Sequence, residues 1–273
     1  MQKLKKEALL YKNNDSITYH LNNLIVEEYL GYQCDSAYIY SDKNKEIAIR
    51  NNNEIWLYKN LLQRSVLLST TGLFVESKEI LDHINPEALP STLRFSYNSA
   101  YECLYSNLSD YSGGDSPYKK IYQNKLADYY NSAYKALKPG DPFYYLFLSH
   151  KNRIENNWSQ AEQNVNKFLK TTHPGTRLHA IGSFCKAVID AKLGNIESQE
   201  RCLIYSAISD IESSTKENRS MQDLASILYQ KGETDRAYKY IQSSLEDANF
   251  YNARFRNIQI SKVQPIIEET YLQ

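Results

Sequence analysis

Glycine and proline are scarce in this chain, at nine and seven among 273 residues. Few turn-formers mean few turns, which argues against the many short strands of an all-β fold and favours helices. Neither sign of charge is in excess. Lysine and arginine total 32, and so do aspartate and glutamate. Phosphate binding needs a basic surplus somewhere, so this segment is not expected to hold nucleic acid. Long apolar runs are also missing. None approaches the roughly 18 residues of a membrane span. The run from Ala8 to Tyr11, behind the N-terminal lysines, is too short for the core of a signal peptide. The four cysteines, Cys34, Cys103, Cys185 and Cys202, make no C-x-x-C pair. Neither a zinc site nor a thioredoxin-like motif is indicated. Each cysteine falls within a helical pattern, as a small buried hydrophobe does.

Reacting constellations are lacking as well. There is no H-E-x-x-H, no G-x-S-x-G and no phosphate-binding glycine loop. The histidines at 20, 83, 150, 173 and 179 have no metal-ligand spacing. Carboxylate pairs such as Glu27–Glu28 and Glu268–Glu269 are adjacent in sequence, so they point to different faces of a helix. The expectation is a protein without catalytic activity, cofactor or metal.

What the chain does have is helical periodicity. The clearest unit is 224–248, LASILYQKGETDRAYKYIQSSLEDA. Leu224, Ala225 and Leu228 mark the inner face of one helix, Gly232 ends it, and Ala237, Ile241, Ser244 and Leu245 mark the inner face of the next. Small residues where two helices cross, with large apolar residues beside them, are the pattern of a tetratricopeptide repeat. Such a unit cannot bury its apolar face alone, so it implies neighbours.

The neighbours are legible. Helix pairs are expected over about 16–48, 53–84, 91–137, 142–171, 177–211 and 218–248. A terminal helix over 250–272, kinked at Pro265, completes one continuous domain, 1–273. Ser91 and Ser116 are expected N-caps, with Pro117 at a first helical position. Asp141–Pro142 is read as the same device. Ala37, Ser77, Ala161, Gln199 and Ala237 align at the small-residue position of successive second helices, in steps of 40, 84, 38 and 38 residues. The long step holds two periods. A period near 40 exceeds the roughly 34 residues of an ideal tetratricopeptide repeat, but Gly72, Gly194 and Gly232 at the inter-helix turns favour that reading over a generic α-solenoid. The fold class is all-α, a tetratricopeptide-like α-α superhelix of about six helix pairs plus a C-terminal helix.

Two sets of residues are candidates for binding. The groove of such a solenoid is lined mainly by the first helix of each pair. That register presents Asn22, Tyr29, Lys59, His150, Arg153, Arg219, Gln222 and Tyr229. They are polar and mixed in sign, and the two-lysine, two-asparagine clamp for a C-terminal carboxylate is not recognisable among them. The second set comes from a tyrosine excess, 24 residues against eight phenylalanines. Tyr97, Tyr101 and Tyr105 form a stripe on one helix face, and Tyr118, Tyr122 and Tyr129 nearly repeat it. These rings either pack between helices with their hydroxyls reaching water or form an aromatic wall for a peptide or a sugar.

The stretch 206–261 is more specific than a generic repeat. SAISDIESSTKENRSMQDLASILYQKGETDRAYKYIQSSLEDANFYNARFRNIQIS resembles the C-terminal part of the repeat region in a family of bacterial membrane-spanning transcriptional regulators. EEYLGYQCDSAYIYSDKNKEIA (27–48) is similar to that family's first repeat, and LYSNLSDY (104–111) also fits. The resemblance implies an extracytoplasmic sensor domain, cut before a transmembrane helix that precedes a coiled coil and a cytoplasmic DNA-binding tail. It implies a periplasmic location and a membrane helix C-terminal to this chain; the sensor is expected to bind a peptide, protein or glycan. A homodimer is compatible with it. The competing expectations are a cytoplasmic scaffold built from the same repeats and a surface glycan-binding protein.

Overall fold

The computed structural model describes residues 1–114 and 116–272, and among them there is no strand. The chain divides into two compact units, Met1–Ala136 and Leu137–Gln273. Asp115 lies outside the described residues.

The first unit holds α1 (Gln2–Leu10), α2 (Asp15–Tyr29), α3 (Cys34–Arg50), α4 (Glu54–Thr71), α5 (Phe74–Asp82), α6 (Ser91–Ser112) and α7 (Pro117–Lys135). Helix α1 was not expected. It buries no residue of its own, and its Lys5 ammonium sits 5.0 Å from the ring centroid of Tyr29 and 5.8 Å from that of Tyr40. The turns follow local chemistry. Asn14 and Asn53 cap α2 and α4 through their side chains, satisfying free first-turn amides. Gly72 closes α4 at φ 91°, a left-handed position that suits a residue without Cβ. Ser116 caps α7 as expected, accepting from Tyr118 N at 3.3 Å, with Pro117 at the first helical position. Ser91 does not cap α6. It is the first residue of the helix, and Pro90 stands before it.

The second unit holds α8 (Tyr144–Ile154), α9 (Trp158–Leu169), α10 (Arg177–Leu193), α11 (Ile196–Glu212), α12 (Ser220–Gln230), α13 (Thr234–Tyr251), α14 (Arg254–Ile260) and α15 (Gln264–Leu272). Helix α8 starts two residues later than Pro142. Asp141 instead folds back, its Oδ2 accepting from Lys138 N at 2.6 Å. The single terminal helix expected over 250–272 is broken twice. Asn252 ends α13 in the left-handed region at φ 67°, and a turn at 261–263 separates α14 from α15. Pro265 therefore does not kink a helix. It occupies the first turn of α15, where its missing N–H would have had no intrahelical acceptor.

The repeat register is uniform. Ala37, Ser77, Ala161, Gln199 and Ala237 are each the fourth residue of their helix. Twelve positions earlier, on the preceding helix, stand Ile25, Ser65, Ser149, Ala187 and Ala225. All are at most 2% exposed. Two crossings are tied by hydroxyls: Ser77 Oγ donates to Ser65 O at 2.8 Å, and Ser149 Oγ donates to Ala161 O at 2.7 Å. Gly182 gives α10 its close approach to α9; a Cβ there would lie 2.8 Å from Leu169 Cδ2 and 2.9 Å from Phe168 Cδ1. A partly buried ionic network lies in the second unit. Lys186 Nζ donates to Glu162 at 3.0 Å and to the fully buried Asp190 at 3.1 Å, and Ser198 Oγ donates to Asp190 at 2.7 Å. Burial opposes the Lys186 charge, but its hydrogen bonds to Glu162 and Asp190 outweigh that and raise its pKa. The network joins α9, α10 and α11.

Candidate ligand-binding surface

The tyrosine stripe is part of the first unit's core. Tyr101 and Tyr105 are 4% and 3% exposed and pack with Leu62, Leu81, Leu93 and Leu104. Tyr101 stacks on Tyr129 with centroids 4.3 Å apart and planes 8° from parallel. Its hydroxyl donates to Asp82 Oδ1 at 2.8 Å, and Lys125 Nζ donates to the Tyr105 hydroxyl at 3.3 Å. Burial pushes Tyr129 up to about 12, and burial followed by the bond to Asp82 raises Tyr101 further. Tyr97 is half-buried at the edge of the same cluster. The arrangement is that of packed rings with anchored hydroxyls.

The other candidates of the first unit do not converge. Asn22 and Tyr29 are buried at 2% and 6% exposure, and Lys59 is exposed. Tyr29 lies in a row of rings with Tyr32 and Tyr40, at centroid distances of 6.4 Å and 6.2 Å.

In the second unit the candidates fall into three places. His150 Nε2 lies 3.2 Å from Cys185 Sγ, joining α8 to α10. Burial, with the Arg153 charge second, pushes His150 down to about 3, so the imidazole is neutral at ordinary pH. Arg153 itself is half-buried. Tyr229 is tied to the terminal helix, its hydroxyl 3.0 Å from Thr270 Oγ1. Gln222 is 7% exposed, and its Oε1 has no hydrogen-bond partner among the described residues. Arg219 lies with its guanidinium over the Phe184 ring, 5.8 Å from the centroid, and its Nε donates to Asp223 Oδ1 at 3.3 Å.

Asp223 leads to a feature that the groove register missed. A cleft of about 310 Å³ is lined by Ala187, Val188, Ala191, Lys192, Gln199, Leu203 and Asp223. Its floor is apolar. Its rim carries one cation, one carboxylate and one amide. The signal for it was present in the alignment of crossing positions. Four of the five hold alanine or serine at 0% exposure, whereas the fifth holds Gln199, which stays partly exposed. An amide side chain does not fit inside a close crossing, so it points out beside it and leaves space.

Among the described residues, no group of three or more His, Cys, Asp or Glu side chains is placed to hold a metal ion, and no helix is long and apolar enough to cross a membrane.

Antiparallel helix pairs repeating near 40 residues, crossing at buried small residues and ending in left-handed turns, define a tetratricopeptide-like α-α repeat domain. The family model of the SusR N-terminal TPR domain matches residues 1–262, and the chain belongs to that family. No curated protein matches it.

Proposed function

We propose that this domain is the non-catalytic sensor part of a membrane-anchored transcriptional regulator, periplasmic in location, and that it binds a peptide or protein segment in the cleft beside Gln199. The observation that carries the binding reading is the break in crossing register at Gln199. Where the other crossings are closed by alanine and serine, this one opens onto an apolar floor with Lys192 and Asp223 at its rim. A peptide offers what that rim can use: backbone groups for the amide, charges of both signs and an apolar side chain for the floor. At about 310 Å³ the cleft suits one or two residues of such a segment, near the lower bound of ordinary ligand pockets. Membership of the SusR family supports the regulator reading.

Calorimetric titration of the whole chain with a peptide library and with oligosaccharides tests the binding. Peptide binding lost in Gln199→Ala and Asp223→Asn, with the melting curve preserved, is expected. Binding of oligosaccharides alone, or peptide binding indifferent to both substitutions, overturns the reading. The location is tested by the parent gene, where an apolar span of roughly 20 residues is expected beyond this segment.

A further inference from the structure

Helix α11 is apolar on two sides. One side packs inward through Cys202, Leu203, Ser206 and Ala207, all buried. The other carries Ile204, Tyr205, Ile208 and Ile211, which are 38%, 50%, 46% and 66% exposed. Spacings of four and three residues put Ile204, Ile208 and Ile211 on one stripe, with Tyr205 beside it. The equivalent helices of the same unit show that this is not a property of the fold. Counted from the crossing residue, Tyr205, Ile208 and Ile211 correspond to Ser243, Glu246 and Asn249 of α13. The first two correspond to Lys167 of α9 and to Lys170 just past its end. A helix hydrophobic all round is normally a buried one, and contiguous exposed apolar surface marks an interaction site.

The ends of the stripe say what covers it. Arg201 precedes the isoleucines and Glu212 follows them, both exposed. They are eleven residues apart, about three turns, so they share the face. Glu212 lies against Gly175, where the absence of a Cβ leaves room for its carboxylate. Glu197, exposed one turn before Arg201, lies outside the span from Arg201 to Glu212; within that span the face is basic at one end, apolar in the middle and acidic at the other, and it complements itself when turned end to end. We propose that this face of α11 pairs antiparallel with the same face of a second copy. Arg201 then meets the partner's Glu212 at both ends, and the isoleucines interdigitate about the two-fold axis, which makes an isologous interface. Parallel pairing would set like charges opposite each other. One helix face of about 25 Å buries less than the roughly 800 Å² per partner of a stable interface, so the association is a weak one. This surface is separate from the ligand cleft and does not depend on it.

Sedimentation velocity over loading concentrations from about 5 µM to about 500 µM tests it, a range that spans weak dissociation constants. A monomer–dimer equilibrium is expected. Ile208→Glu should weaken it at least about tenfold, or roughly 1.4 kcal/mol. Arg201→Glu and Glu212→Arg should each weaken it by a similar factor, because each creates two like-charge contacts. The double variant should return the dissociation constant to within about threefold of wild type, a difference of less than 1 kcal/mol. All three positions are on the surface, and far-UV circular dichroism verifies that the variants fold. A chain that stays monomeric throughout overturns the proposal. So does a dimer unmoved by these substitutions, or single charge reversals that the double variant does not rescue.

Discussion

Replacing Tyr101 with phenylalanine separates a structural tyrosine from a binding one. Phenylalanine keeps the ring stacked on Tyr129 and deletes the hydroxyl, with its 2.8 Å bond to Asp82 and its hydrogen bonds with the Tyr97 and Tyr129 hydroxyls. Hydrogen bonds to charged groups contribute about 1.5–3 kcal/mol when enclosed. Asp82 is 46% exposed at its side chain and also pairs with Lys78, so solvent screening lowers the expected cost to about 1 kcal/mol. Tyr101→Ala removes the ring as well. Deleting a buried aromatic costs about 3–5 kcal/mol, and a ring 4% exposed between Tyr97, Tyr105 and Tyr129 belongs in that range. Each kcal/mol moves the melting temperature by about 2–4 °C for a chain of some 150–250 residues. The two variants should therefore differ by roughly 5 °C or more in a thermal melt. The pH dependence adds a second readout. Burial works against the Asp82 carboxylate, but the bonds from Lys78 and Tyr101 outweigh it and hold its pKa below the ordinary 3.8. A depressed carboxylate contributes stability above its unfolded pKa and loses it as pH falls through the folded value. The phenylalanine penalty should thus be present at pH 7 and shrink below pH 3.8. A Tyr101→Phe protein that melts like wild type at pH 7, or an alanine variant costing under about 1 kcal/mol, refutes the packing argument.

Three further outcomes follow from the second unit. Asp210 is buried beside Glu217 and Asp247, and burial first, then Glu217, pushes its carboxyl up to about 8 against the pull of Arg177 and Arg256. A raised carboxyl contributes stability below its unfolded pKa and loses it as pH rises through the folded value; Asp210→Asn should flatten that loss between about pH 4 and pH 8 in melts across pH, and an unchanged slope counts against it. Gly182→Ala improves helix propensity but drives a Cβ against Phe168 and Leu169, so chemical denaturation should show a loss of about 1–3 kcal/mol. Deleting 264–273 uncovers Tyr238, which stacks on Tyr271 at 4.1 Å, and removes the fully buried Ile267; proteolysis should then cut α13 and α14 faster, and an unchanged cleavage pattern would show α15 to be a passive end.

The helix pairs were legible because their signals are local. Periodicity, a small residue at each crossing and a glycine or capped turn at each end are all written within about 40 residues. The terminal segment carries two competing signals. Helical periodicity runs through 250–272, but Asn252 tolerates the left-handed region and ends α13 there, and proline at 265 is as compatible with a first turn as with a kink. Tyr101 and Tyr105 left core and groove open, since a tyrosine suits both, and only the placement of Asp82, Lys125 and Tyr129 decides. Helix α1 escaped notice because it is short, nine residues, and buries none of them. The cleft was one step from visible: Gln199 stood in the crossing alignment, and its size was the signal.

Cleft and pairing face lie on the same helix. Gln199 and Leu203 look into the cleft from one side of α11, and at 3.6 residues per turn Ile204 and Ile208 look out from the other. The helix between them is firmly seated. Ser206 Oγ donates to Ala180 O at 2.9 Å and lies 2.6 Å from Ser220 Oγ, while Ser198 is held by Asp190. Any coupling between binding and pairing through α11 is reciprocal. The factor by which a saturating cleft ligand changes the dimer dissociation constant must equal the factor by which dimerisation changes ligand affinity. Titrations at protein concentrations below and above the dimer midpoint measure one factor, and sedimentation with and without ligand measures the other. Ligand affinity that is the same at both concentrations would show that α11 carries two independent surfaces.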